Sequence, residues 1–469
     1  MAEKTKTNEA KISIKVMADK VNKRVVYAEA DHTFVDILFS FVTLPMGTIV
    51  RLLRKHDDKK FEALGSLNNL YQSLKDFPEN YLETEECKYI LLNPRSRAYD
   101  HCRYLKVNID DTEPFNYFEC EGCCKLLPRS LSTCNKVNCV RCGKLMKKEV
   151  GYEKSDDLYS GTSVFASDIA TFIVTDDLCI LPYTSATSIQ LLTDYGVTRK
   201  SDLEEINLDM DSEKVLCVLK MALSLESVLT CLVFQTTHSV RDLLIPSKTV
   251  TLHLSCYSRK EYKHLDSEMR LEISLQKSTG KLLFAEAKHY FVEFLFGFLS
   301  IPLGTVIGHL IEGGSISCMN NILKSISEMR VNIIDCILNS KEACIYLRSG
   351  AILLEPHIGQ QYLSENRLFH LEGTGFHYDR SELQDPGIGG SFLRQCGMFT
   401  VTDDLIIKPS SSFSTMKVLN DLQVPFDDVE KRDIRIGLPE GRKILKACLT
   451  SCSTLTDSLE HELKNKSEQ

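Results

Sequence analysis

Residues 27–53 read YAEADHTFVDILFSFVTLPMGTIVRLL, and residues 284–310 read FAEAKHYFVEFLFGFLSIPLGTVIGHL. Paired without a gap at an offset of 257, the two stretches are identical at 13 of 27 positions. A second pair lies further along. Phe172–Pro182, FIVTDDLCILP, matches Phe399–Pro409, FTVTDDLIIKP, at 8 of 11 positions and an offset of 227. A weaker third pairs NNLYQSLKDF from Asn68 with NNILKSISEM from Asn320. Repetition at this length marks two diverged copies of one unit in tandem. The falling offset means that the second copy is about thirty residues shorter between the outer matches.

Each copy has the same expected order of elements. Ile12, Ile14 and Val16 alternate with polar residues, a short polar turn follows, and RVVYAEA completes a β-hairpin. In the second copy Leu271, Ile273 and Leu275, the turn KSTGK and LLFAEA do the same. Phe34, Ile37, Leu38, Phe41 and Val42 then fall at helical spacing, with Asp31 or Thr33 as the cap. Pro45 ends that helix and sits in the tolerated first turn of the next. Late in each copy, FIVT-DD-LCILP reads as a hairpin turning on Asp176 and Asp177. A helix over Ser188–Tyr195, a strand INLDM and a helix from Glu213 to Leu223 complete the unit. Short mixed runs of this kind predict an α+β fold rather than a regular parallel sheet. The expected domains are 10–235, a connecting segment 236–270 containing TTHSVRDLLIPSKT and SRKEYKHLDSE, and a shorter second copy, 271–460.

Composition narrows the class. At 469 residues with 43% hydrophobic and 26% charged residues, the chain has ordinary globular make-up and room for two or three domains. The opening MAEKTKTNEAK is polar, which predicts no secretory signal and an intracellular protein, cytoplasmic or nuclear. The 18 cysteines are then expected as reduced thiols rather than a disulfide framework. The stretch from Val292 to Ile311 is apolar enough to suggest a membrane span, but Glu293, Pro302 and His309 punctuate it. Asp36 and Arg51 punctuate its counterpart, so a buried helix pair and no membrane contact are expected.

Six cysteines lie within CEGCCKLLPRSLSTCNKVNCVRC, and among them Cys120-x2-Cys123 and Cys139-x2-Cys142 have zinc-ribbon-like spacing. Two such turns aim four thiolates at one tetrahedral Zn²⁺, with Gly143 suited to the knuckle and no position left for water. The segment 117–148 is therefore expected to be an insertion held by structural Zn²⁺. Cys124 could replace Cys123, Cys134 is spare, and ordinary free thiols are the alternative. The same stretch carries Lys125, Arg129, Lys136, Arg141, Lys144, Lys147 and Lys148 against Glu121. That basic face opens a nucleic-acid role, although the net charge of −8 argues against a chain-wide polyanion surface.

Other chemistry-bearing residues have bland readings. Glu29 with His32, and Glu286 with His289, recur in A-E-A-x-H-x-F where a strand becomes a helix, and capping explains them. Asp176–Asp177 and Asp403–Asp404 read as turns. GIGGS at 387–391 lacks the lysine of a phosphate loop.

The segments YAEADHTFVDILFSFVTLPMGTIVRLL, NPRSRAYDHCRYLKVNIDDTEPFNYFEC, CGKLM and FIVTDDLCILP resemble the plant family named domain of unknown function 674, from about residue 10 to 460. The resemblance implies tandem copies and brings no catalytic residue with it. It also implies that Cys120, Cys139 and Cys142 stand where such proteins keep cysteines before the GKLM phrase. The second copy departs there, since Phe369–Gly397 offers His370, His377 and Cys396 but no CxxC. The expected function is a non-enzymatic, zinc-stabilised scaffold with protein partners. A nucleic-acid binder using the basic stretch is one alternative. An enzyme with Glu29, His32, Glu286 and His289 in a cleft between the copies is the other.

Overall fold

The computed structural model describes residues 11–56, 64–83, 85–96, 98–112, 117–122, 130–132, 135, 138–139, 142–150, 163–166, 171–235, 269–310, 316–329, 331, 345–348, 351–354, 382–383, 392–394 and 397–464. Most of the connecting segment, 236–268, falls outside these, as does the GIGGS run at 387–391.

In the first half, β1 (Ile12–Asp19) and β2 (Arg24–Ala30) form the hairpin, followed by α1 (His32–Phe41), α2 (Met46–His56) and α3 (Leu67–Asp76). Short helices α4 (Glu85–Leu92) and α5 (Tyr99–Cys102) precede three short strands, β3 (Tyr117–Glu119), β4 (Ser130–Ser132) and β5 (Lys148–Val150). The half closes with β6 (Phe172–Thr175), β7 (Ile180–Pro182), α6 (Ser185–Asp194), β8 (Leu203–Met210), α7 (Ser212–Ala222) and α8 (Val228–Phe234). In the second half β9 (Met269–Gln276), β10 (Leu282–Lys288), α9 (His289–Gly297), α10 (Leu303–Thr305) and α11 (Ser317–Glu328) come first. Next are β11 (Ile345–Arg348), β12 (Ala351–Leu354) and β13 (Glu382–Leu383). Then come β14 (Met398–Thr402), β15 (Ile407–Pro409), α12 (Ser412–Asp421), β16 (Val429–Ile436), α13 (Leu438–Thr450) and α14 (Thr454–Lys464).

Two five-stranded antiparallel sheets organise these elements, β7-β6-β2-β1-β8 and β15-β14-β10-β9-β16, so the strand order is the same in both. The alternation that predicted the first hairpin is visible in β1, where Ile12, Ile14 and Val16 are buried and the residues between them are exposed. Central strand β2 buries Val25, Val26, Tyr27 and Ala28 in a row because both faces of its sheet are covered. On the outer face Val26, Tyr27 and Ile173 pack under Leu191 and Leu192 of α6. Leu283 and Phe284 pack under Leu419 of α12 in the matching way. The inner faces of both sheets, with α1, α2, α3, α9 and α11, share one continuous core.

Asp31 caps α1, its carboxylate accepting from the amides of Thr33 and Phe34. Of the charges inside the apolar stretches, Asp36 and Glu293 are buried and Arg51 is half-buried, and each has hydrogen-bond partners. The Asp36 carboxylate accepts from the amides of Val164, Phe165 and Ala166 at 2.7, 2.9 and 2.7 Å. Glu293, its counterpart at the 257 offset, accepts from the Phe392 amide. Arg51 donates to Asn93, Asp111 and Thr112 at 2.7, 2.7 and 2.9 Å. Among the described residues no helix is long and apolar enough to cross a membrane.

Candidate metal centre

A separate four-stranded sheet, β13-β4-β3-β5, carries the cysteines. Cys120 follows β3 directly, while Cys139 and Cys142 sit in the turn that leads into β5. That turn is tight. The Cys139 amide donates to the Lys144 carbonyl at 2.8 Å and the Gly143 amide to the Cys139 carbonyl at 2.7 Å, with Asn138 and Leu145 bridged beside them. Gly143 has φ +70°, which a residue with a Cβ adopts only under strain. Gly122 is needed for space instead, because a Cβ there would stand 3.3 Å from Cys142 Sγ and 3.1 Å from Lys144 Cδ.

The turn brings three sulfurs together. The Sγ atoms of Cys120, Cys139 and Cys142 all lie within 4.8 Å of one another, with Cys120 and Cys139 buried and Cys142 exposed. Cys120 and Cys142 approach to 3.3 Å, far beyond the roughly 2.05 Å of a disulfide. Zn–S bonds of about 2.3 Å in a tetrahedron put sulfurs about 3.8 Å apart, so this spacing fits a shared ion. Met146 and Phe118 form the apolar backing. Beneath it, buried Glu119 pairs with Lys148 at 2.6 Å. These three cysteines form a group that could hold a metal ion. The fourth expected ligand, Cys123, lies outside the described residues, as do Cys124 and Cys134. So do Lys125, Arg129, Lys136 and Arg141 of the basic stretch; Lys144 and Lys147 are exposed. His370, His377 and Cys396 of the second half also lie outside.

Of the remaining sequence candidates, Glu286 is held in an ion pair. Glu286 receives Lys431 Nζ at 2.8 Å and Ser410 Oγ at 3.4 Å. Burial acts to raise its carboxyl, but Lys431, Glu272 and Ser410 together hold it below the usual range. Burial, and then Lys288, keep the His289 imidazole below its ordinary value. Glu29 is the penultimate residue of β2 and His32 begins α1, the strand-to-helix junction that the sequence indicates.

The aspartate pairs do turn the hairpins, and each member has a further role that sequence reasoning missed. Asp176 accepts from the Thr230 amide and hydroxyl, both at 2.7 Å, and so caps α8. The Thr230 hydroxyl in turn accepts from the Val25 amide at 2.8 Å, tying β2 to the same point. Asp403 treats Thr456 of α14 alike, at 2.7 and 2.8 Å. Burial pushes Asp176 up to about 6 despite the Thr230 donors. The second aspartates reach the other half. Asp177 accepts from Asn321 Nδ2 at 2.9 Å and Asp404 from Asn69 Nδ2 at 3.0 Å. The recurrence of Asn-Asn at Asn68 and Asn320 is a sequence signal for this.

A family model described as "Protein of unknown function (DUF674)" matches residues 8–439. No curated protein and no solved structure matches the chain.

Proposed function

The chain belongs to the DUF674 family, whose description assigns no activity, and we propose from its own geometry that it is a non-catalytic, zinc-stabilised scaffold built from two copies of one unit. The observation that carries this reading is the convergence of Cys120, Cys139 and Cys142. An all-thiolate set is the donor chemistry of structural Zn²⁺, and Cys123 is the residue we assign as its fourth member. Bound there, the ion would supply a cross-link between β3 and the turn before β5, in a segment whose apolar support is little more than Met146 and Phe118. A closed set of four cysteines leaves no position for substrate or activated water, which favours a scaffold over a hydrolase. The matching strand orders support the two-copy reading, and thiols rather than disulfides at the described cysteines fit a reducing compartment. Protein partners fit such a scaffold best.

The test is metal content after purification under reducing conditions without added zinc. About one zinc per chain, lost when Cys139 and Cys142 become Ser, is expected. Metal-free protein with segment 117–150 intact would remove the reading. A second reading, nucleic-acid binding, has one observation in its favour: Lys144 and Lys147 are exposed beside the sulfur cluster. Lys148 contributes less, being paired to Glu119. Salt-dependent binding of DNA or RNA, weakened in K144E/K147E, would establish it, and no binding at low salt would dismiss it.

A further inference from the structure

Several of the bonds between the two halves come in two-fold pairs, although others, such as Glu83 to Phe392 and Arg394 to Tyr81, have no mate among the described residues. Pro45 forms a β-bridge with Pro302, its own counterpart at the 257 offset. The Met46 amide donates to the Ile301 carbonyl at 3.0 Å, and the Leu303 amide to the Leu44 carbonyl at 2.9 Å, which is the same bond with the halves exchanged. A position that touches its own equivalent is the mark of a closed, isologous interface.

Flanking this axis, α3 and α11 cross over. Asn69 and Ser73 of α3 meet the second half's hairpin: Asn69 Nδ2 donates to the backbone carbonyl and carboxylate of Asp404, both at 3.0 Å, and Ser73 Oγ accepts from the Ile407 amide at 2.9 Å. Asn321 and Ser325 of α11 repeat this on the first half. Asn321 Nδ2 donates to the carbonyl and carboxylate of Asp177 at 2.8 and 2.9 Å, and Ser325 Oγ accepts from the Ile180 amide at 2.9 Å. The helix starts dock in the same crossed sense. The Ser66 amide donates to the Ser451 carbonyl, at 3.0 Å, beyond α13, and Cys318 Sγ donates to the Leu225 carbonyl, at 3.0 Å, beyond α7. Phe77, just past α3, stacks on Phe399 at 5.4 Å and meets Phe296 edge-on at 5.3 Å.

We infer that this joint is a two-fold interface between two units, each closing the other's hairpin with its own Asn-x3-Ser helix, and that it holds the halves together without the connecting segment. The inference rests on the two-copy reading and uses none of the metal-site residues, although β13 of the second half also pairs with β4 in the sheet that carries the cysteines. The first backbone amide of each hairpin's outer strand, Ile180 in β7 or Ile407 in β15, finds its acceptor on the other half's helix. The surface is therefore shaped for a second copy of the same unit.

The experiment uses the full chain with a protease site inserted between residues 245 and 255. After cleavage, size exclusion with light scattering should report one species near the intact 53.1 kDa, and urea should unfold both halves in one transition that depends on protein concentration. Fragments that separate without denaturant would overturn the inference. A second measurement needs no cut. In N321D a carboxylate faces Asp177, and hydrogen exchange should quicken about tenfold or more in peptides covering 172–182 of the first half. Faster exchange confined to the second half would equally overturn the crossed arrangement. Metal measured on the same samples separates the two readings, since chelation should strip zinc while the cleaved halves stay together.

Discussion

Removing the Asp36 carboxylate should destabilise the first half by about 3–5 kcal/mol, the range for breaking a buried charged network. The carboxylate is 2% exposed and accepts from three consecutive main-chain amides and the Ser163 hydroxyl. In Asp36→Ala the three amides lose their acceptor at once, while the Ser163 hydroxyl keeps the Ala166 carbonyl. A buried donor left unsatisfied costs about 1–3 kcal/mol, and Val164 and Phe165 are themselves buried. Water entering the space left by the side chain would recover part of one bond, which brings three such costs down into the stated range. Asp36→Asn should lose about half as much, because the amide keeps one acceptor oxygen but turns an NH₂ group toward N–H donors. The assay is urea unfolding at fixed slope, combined with hydrogen exchange over 163–166. An Ala variant within about 1 kcal/mol of the parent, with that segment still protected, would refute the reasoning. It would mean that the loop is held by its own packing and that the carboxylate is a passenger.

Gly65→Ala should cost about 2–4 kcal/mol, since its φ is +50° and a Cβ would stand 2.7 Å from the Ser451 carbonyl and 2.8 Å from that of Cys448; an unchanged melting temperature would contradict this. The double variant C139S/C142S should lose zinc and expose 117–150 to proteolysis while leaving the five-stranded sheets folded, as circular dichroism and fragment mapping can check. Asp176 holds its proton more tightly folded than unfolded, because burial lifts it to about 6 from the ordinary 3.8. Between those values the native state binds more protons, so stability falls as pH rises from about 4 to about 6, by roughly 3 kcal/mol from this group. Asp176→Asn should flatten that part of the stability–pH curve, and an unchanged slope would count against it.

Much of the architecture was legible in the residues themselves, for local reasons. Alternation in ISIKV, the helical spacing from Phe34, the cap at Asp31 and the paired aspartates each describe a conformation decided within a few residues, and the strands, helix and turns lie where those signals put them. The spacing of the cysteines points to a cluster, and Cys120, Cys139 and Cys142 do converge into a group that could hold a metal ion. A charge and a proline in each apolar stretch point to a buried helix pair, but what each charge binds is hidden in the sequence. Asp36 meets amides more than a hundred residues away, and no local pattern encodes such a meeting.

The crossing of α3 and α11 was hidden for a different reason. Both helices carry Asn-x3-Ser and both hairpins carry Asp-Asp, so each helix is chemically equipped to close either hairpin. Sequence by itself determined the pieces and their complementarity. Docking at home and docking across the axis would satisfy the same kinds of hydrogen bond, so no local pattern separates them, and only the tertiary structure sets Asn69 on Asp404 and Asn321 on Asp177.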